Sequence, residues 1–202
     1  MSDRNRLRLP NVPGDYASRK ELWIRSSVWA TLNQGPFITV SVQDLGYAER
    51  LILHLEERIA AIVRADGPRA ERENLIMECS AHSKLWILGL YEVARIVKDA
   101  DESKFALVKK LFHQLEILRM PLAKHEVKSS PNYRKAPHYP TGTWDSASGR
   151  VGWVVFDPAD ENMKLLTRTG IADEFLALTA TEPICAPIPI GGPLGRPDPE
   201  AR

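Results

Sequence analysis

Apolar residues recur at three- and four-residue spacing over three long stretches of the chain, the period of helices that bury one face. In the first, Leu45, Ala48, Ile52, Leu55, Ile59 and Ile62 share a face. The pattern predicts a helix over 41–65, starting near Ser41, with Asp44 in the first turn where the helix dipole favours a carboxylate. The segment "ADGPR" (65–69) ends it: Gly67 suits a left-handed C-cap and Pro68 cannot continue a helix. The second stretch, 69–99, carries Leu75, Cys79, His82, Trp86, Gly89, Val93 and Ile96, and is apolar on more than one face between 85 and 97. That marks it as the central helix. The third, 103–128, shows Phe105, Val108, Phe112, Leu115, Leu118 and Leu122. Short links between the three favour antiparallel neighbours. Ahead of them, 18–33 predicts a shorter amphipathic helix, with Ser18 as cap, Glu21 as its capping-box partner, and Trp23 and Val28 as core contacts.

The texture changes after residue 128. Residues 128–150 form a polar stretch with three prolines, and "VGWVVF" (151–156) is the best strand pattern in the chain. Its partner falls around 139–144, with "DSASG" as the hairpin turn, and Trp153 is placed to pack on the helices. A strand left at an edge there would be an assembly site. A short helix follows over 167–180, with Ile171, Phe175 and Leu178 on one face. The expected fold is therefore mainly α: an up-down bundle of three long helices, plus a small C-terminal β-hairpin and a short helix. One domain should span 17–180. Residues 1–16 read as a mobile arm, and 181–202 are too rich in Pro and Gly to fold regularly.

Composition narrows the class of function only modestly. A net charge of +1 gives no global electrostatic reason to bind nucleic acid or membrane, although a local basic patch remains possible. No run of about 18 uncharged apolar residues occurs, so no membrane span is expected. The N-terminus has basic residues but no apolar core of a secretory signal. Cys79 and Cys185 lie far apart and outside any CxxC pair, which fits a reducing compartment and makes the cytoplasm the expected setting.

The stretch that raises a question of chemistry is "LRMPLAKHE" (118–126). Arg119 follows Leu115 by four and precedes Leu122 by three, so a guanidinium occupies a position of the apolar stripe. Arginine is rarely fully buried unless paired. In a straight helix Arg119 and His125 would point about 120° apart, and Pro121 is expected to kink or interrupt the helix between them. A histidine serves as acid or base near neutral pH, and an arginine holds and neutralises a phosphate. Together they are a reasonable RNA-cleaving pair.

This segment resembles the R-x(4–6)-H motif of HEPN domains, small helical bundles of bacterial type. The resemblance covers about nine residues, with helical context over 70–128. Many such domains are metal-independent ribonucleases, usually dimers with a composite site, and others only bind nucleotides or partners. Arg119 and His125 take the motif positions. Met120 and Pro121 depart from the family pattern, which has a polar residue after the arginine. The resemblance implies binding of RNA, nucleotide or a protein partner, RNase activity in the enzyme version, and a homodimer.

A bland reading stands beside it. Arg119 would pair with Glu116 or Glu92, and His125 would sit near a helix C-terminus that favours a cation. Glu92 lies in the most apolar stretch and needs a partner if buried, so an interhelical Glu92–Arg119 bridge would explain both residues. The chain is then a non-enzymatic interaction protein. The loop at 132–139 adds Arg134, Lys135, His138 and Tyr139, a basic and aromatic set suited to single-stranded RNA, although an ordinary solvated loop is the favoured reading of the same composition. His54/Glu57 and Glu78/His82 pair on helix faces without the repeated Glu-x-x-His of di-iron bundles, and His82 reads as a core histidine. No phosphate-cradling, dinucleotide, nucleophile-elbow or zinc-protease motif occurs, so neither a metal nor a cofactor is expected.

Overall fold

The computed structural model describes residues 16–31, 36–124, 140–146, 148–157 and 161–180. Helices α1 (Tyr16–Ala30), α2 (Phe37–Arg64), α3 (Arg69–Ala100) and α4 (Glu102–Lys124) follow one another, each packed on the next. Strands β1 (Thr141–Asp145), β2 (Arg150–Asp157) and β3 (Asn162–Thr167) form an antiparallel meander, and α5 (Arg168–Thr179) follows directly. The protein is mainly α, an up-down bundle with a small sheet and a short C-terminal helix. The N-terminal arm before residue 16 and the Pro/Gly-rich tail after residue 180 lie outside the described residues.

Helix α3 is central because its buried arc is wide. Cys79, Trp86, Ile87, Leu90, Val93, Ala94 and Val97 are buried, facing α2, α4 and β2 in turn. Its register against α2 is antiparallel: the Trp86 indole donates to the Leu45 carbonyl at 2.9 Å, and the Cys79 thiol to the Ile52 carbonyl at 3.9 Å. Helix α5 touches both α1 and α4, and closes the bundle together with β2, whose Val151, Trp153 and Val155 point inward. Glycine sets one close approach: a Cβ on Gly46 would meet Trp23 Cγ at 2.7 Å, so the bare backbone lets the α1 indole lie against α2.

Several element ends differ from expectation for local reasons. Helix α2 begins at Phe37, not Ser41, because Pro36 already has helical angles (φ −75°, ψ −11°) and its fixed φ suits a helix start. Ser41 then sits inside the helix, donating back to the Phe37 carbonyl at 3.0 Å. At the other end Asp66, not Gly67, takes the left-handed conformation (φ 50°). The amide of Gly67 donates to the Ile62 carbonyl at 2.9 Å and that of Asp66 to Val63 at 3.3 Å, the paired bonds of a Schellman cap. Aspartate tolerates this region better than most residues. Helix α1 starts at Tyr16, ahead of Ser18, and Val28 is 44% exposed on its outer face rather than a core contact.

Helix α4 continues through Pro121 to Lys124 instead of breaking. The C-terminal hairpin has a third strand, so β2 is paired on both sides and is not an edge. Gly149 supplies the left-handed residue (φ 67°) of the β1–β2 turn. Thr167 caps α5 by accepting from the Gly170 amide at 3.0 Å.

Candidate functional site

Arg119 lies one turn before the end of α4, half-buried, with its guanidinium over the Tyr91 ring at 4.7 Å from the centroid. Tyr91 in turn stacks on Phe112 (5.4 Å, 22°), which meets Phe105 edge-on at 5.4 Å. Lys98 covers Phe112 at 4.8 Å. This places the guanidinium at one end of a cation–aromatic ladder between α3 and α4, each such contact being worth about 0.5–2 kcal/mol by its desolvation.

The expected Glu92–Arg119 bridge is not formed. Glu92 is on the exposed side of α3, where Arg95 Nε donates to it at 2.8 Å and Arg95 also reaches Asp99 at 3.2 Å. The helix is apolar on several faces here, but position 92 falls on its outer arc, so the carboxylate stays in water. His125, directly after α4 in sequence, lies outside the described residues, as do Arg134, Lys135, His138 and Tyr139.

Among the described residues no group of three or more His, Cys, Asp or Glu is placed to hold a metal ion. His82 is half-buried on the wall of a groove rather than in the core. No helix among the described residues is long and apolar enough to cross a membrane.

Three other features have no counterpart in the sequence analysis. The first is a buried ion network between the helices and the C-terminal elements. Glu49 and Glu56 of α2 are both fully enclosed, and Arg168, at the start of α5 and 0% exposed, donates to each of them, to Glu56 at 3.3 Å. Arg19 of α1 grips Glu49 through Nε at 2.7 Å and Nη2 at 2.8 Å, and the Trp23 indole adds a further donor at 2.6 Å. Arg150 of β2 and the Val151 amide bind Glu56 at 2.8 and 3.1 Å. Asp173 holds the far side of Arg19 at 2.6 Å. Burial pushes the Glu49 carboxyl upward, but the Arg19 hydrogen bond, the charges of Arg168 and Arg19 and the Trp23 donor outweigh it, holding the carboxyl below its ordinary value. The network is buried at Glu49, Glu56 and Arg168, reaches solvent at Asp173 and Arg150, and ties α1, α2, β2 and α5 together.

The second is a cleft of about 220 Å³ between α4 and the sheet. Here Lys164 Nζ donates to Asp157 at 2.9 Å, His113 Nε2 lies 3.3 Å from the same carboxylate, and Lys110 stands at the rim. The third is an open groove of about 460 Å³ between α2 and α3. Its floor is Leu45, Trp86 and Gly89, and the exposed Leu85 stands on its wall.

Cys79, under the groove, is buried, and its thiol is pushed up to about 12 by burial and then by the Glu56 charge. A thiol held protonated is a poor nucleophile. In a Cys185→Ser variant, a disulfide reagent at pH 8 should leave Cys79 untouched in the folded chain and label it fully in denaturant. Prompt labelling without denaturant would show that α2 and α3 open at this point.

No protein-family model, no curated protein and no solved structure matches this chain. Its class therefore rests on its own architecture: an up-down helical bundle closed by a three-stranded sheet and a short helix, with a buried arginine–glutamate network at the junction.

Proposed function

We propose that this protein binds RNA at the C-terminal end of α4, as a HEPN-like protein of bacterial, cytoplasmic type, with Arg119 as the phosphate-holding cation. In the enzyme version His125 is the acid/base of a metal-independent cleavage, and a second chain supplies the mirror pair of a dimer. The loop residues Arg134, Lys135, His138 and Tyr139 would extend the contact. The single observation that supports this is the setting of Arg119. Its guanidinium, half-buried near the C-terminal end of α4, lies over the Tyr91 ring at 4.7 Å, an aromatic face that holds its orientation.

The alternative is a non-enzymatic interaction protein in which Arg119 and His125 are structural, and the same Tyr91 contact supports it as a packing device. The deciding experiment is incubation of a mixed-sequence single-stranded RNA with the purified protein in EDTA, beside His125→Ala and Arg119→Ala, with binding followed by anisotropy of a labelled RNA. Cleavage lost in both variants is the expected result of the enzyme version. Binding without cleavage, weakened by Arg119→Ala, is expected of the binding version. No RNA binding by the wild type, with Arg119→Ala changing only the melting temperature, leaves the structural alternative.

A further inference from the structure

The α2–α3 groove has the shape and charge of a helix-docking site. It is walled by two antiparallel helices, from Ser41 to Leu51 on α2 and from His82 to Ile96 on α3. At about 1.5 Å per residue, those walls run for roughly 15–20 Å, the length of a helix of three to four turns. Its floor is low where Gly89 faces Leu45: a Cβ on Gly89 would come within 3.0 Å of Leu45 Cδ2. Ala48 beside it is exposed and short, so a third helix can approach the pair closely. Over the buried Leu45, Trp86 and Val93 of its lining, Leu85 stands 67% exposed.

Charge selects the occupant. The groove is lined by two carboxylates, Asp44 and Glu92, and by no lysine or arginine among the described residues. Glu92 shares its charge with Arg95, whereas Asp44 has no ion-pair partner among the described residues. In the register set by Leu45 and Gly89, Asp44 and Glu92 fall at the same end of the groove. An acidic partner would be repelled there, and a basic one drawn in.

We propose that this groove binds an amphipathic helix of a partner protein, one that presents leucine-like anchors at i, i+3/i+4 and i+7 and lysine or arginine beside them. The site is separate from the α4 end and does not depend on RNA binding.

The test uses two fluorescein-labelled model helices of equal length, with the same leucine stripe, one flanked by lysines and one by glutamates. Anisotropy titrations are run with the wild type, Asp44→Lys and Ala48→Trp. Position 48 is exposed, so a tryptophan there obstructs the groove without entering the core, and a thermal melt checks that each variant is folded. The lysine helix should bind saturably and at least about tenfold more tightly than the glutamate helix, a difference of the size one desolvated charge contact provides. Asp44→Lys should remove that preference, and Ala48→Trp should abolish binding of both helices. Equal binding of the two helices, or binding unchanged by Ala48→Trp, overturns the proposal. So does light scattering that finds a dimer of the wild type converted to monomer by Ala48→Trp, because the groove would then belong to a second copy of this chain.

Discussion

Replacing Arg168 by alanine is expected to lower the free energy of unfolding by about 3–5 kcal/mol, the usual loss when one partner of a buried ion cluster is removed. Both Glu49 and Glu56 are without solvent, and among the described residues Arg168 is the one cation that touches both. Its removal leaves each carboxylate with a single arginine, Arg19 or Arg150, and those two are partly exposed and tethered to other elements. The change also deletes the guanidinium that covers the Trp86 ring at 5.5 Å. Urea melts at pH 7 measure the loss. Arg168→Met separates charge from packing, since methionine fills much of the same volume. If Arg168→Met restores wild-type stability, the network contributes nothing net and the argument fails. The same carboxylates make stability depend on acid. Glu49 titrates below its ordinary value in the folded chain, so its contribution is complete above the unfolded-state pKa of about 4.3. It is lost as pH falls below that and through the depressed folded value. Glu49→Gln should therefore be less stable than wild type at pH 7, and the gap should narrow at low pH.

That network shows where sequence patterning stops being informative. The long helices were legible because their buried faces keep a 3/4 period over many turns, as in Leu75, Cys79, Trp86, Leu90 and Val97. The signal for the network was present but quiet: Glu49 and Glu56 fall in the same period as Leu45, Ile52 and Ile59, which places two carboxylates on the buried stripe. A charged residue at a core position asks for a partner, but nothing local identifies it. Arg168 is 119 residues from Glu49 and sits in "LTRTG", which reads as an ordinary helix start. The groove was illegible for the opposite reason. Ala48 and Leu85 look like core residues by composition, and only the placement of α5 and the sheet determines which flank of α2 and α3 stays uncovered. The reverse error occurred at Glu92, where a strongly apolar neighbourhood concealed an outward-facing position. Strand β3 is weakly marked because the alternation in "NMKLLT" covers only four residues and puts Met163 and Leu165 on the exposed face, with only three of its six residues even half-buried.

Trp86→Ala is expected to be as damaging, by about 3–5 kcal/mol, because a large buried side chain leaves a cavity that a rigid bundle cannot close. Trp86 is 2% exposed and lies where three parts of the molecule meet. Its ring meets Trp23 of α1 edge-on at 5.9 Å, its indole nitrogen binds α2, and Arg168 of α5 stands over its face. The lost hydrogen bond is the smaller part. Leu45 lies inside α2, so its carbonyl also accepts the ordinary i+4 helical bond and is not left bare. Trp86→Phe, which keeps one aromatic ring but drops the N–H together with part of the indole, should therefore lose clearly less than alanine. Equal losses for the two would mean that the hydrogen bond, not the packing, carries the residue. Trp86 and Arg168 are in contact, so their effects should not add. A double variant, Trp86→Phe with Arg168→Met, should fall short of the sum of the single losses by about 0.5 kcal/mol or more, because the first change already removes part of the π face that the guanidinium covers. Strict additivity would show that the indole and the ion network stabilise the bundle independently, and that the Arg168–Trp86 contact is only proximity.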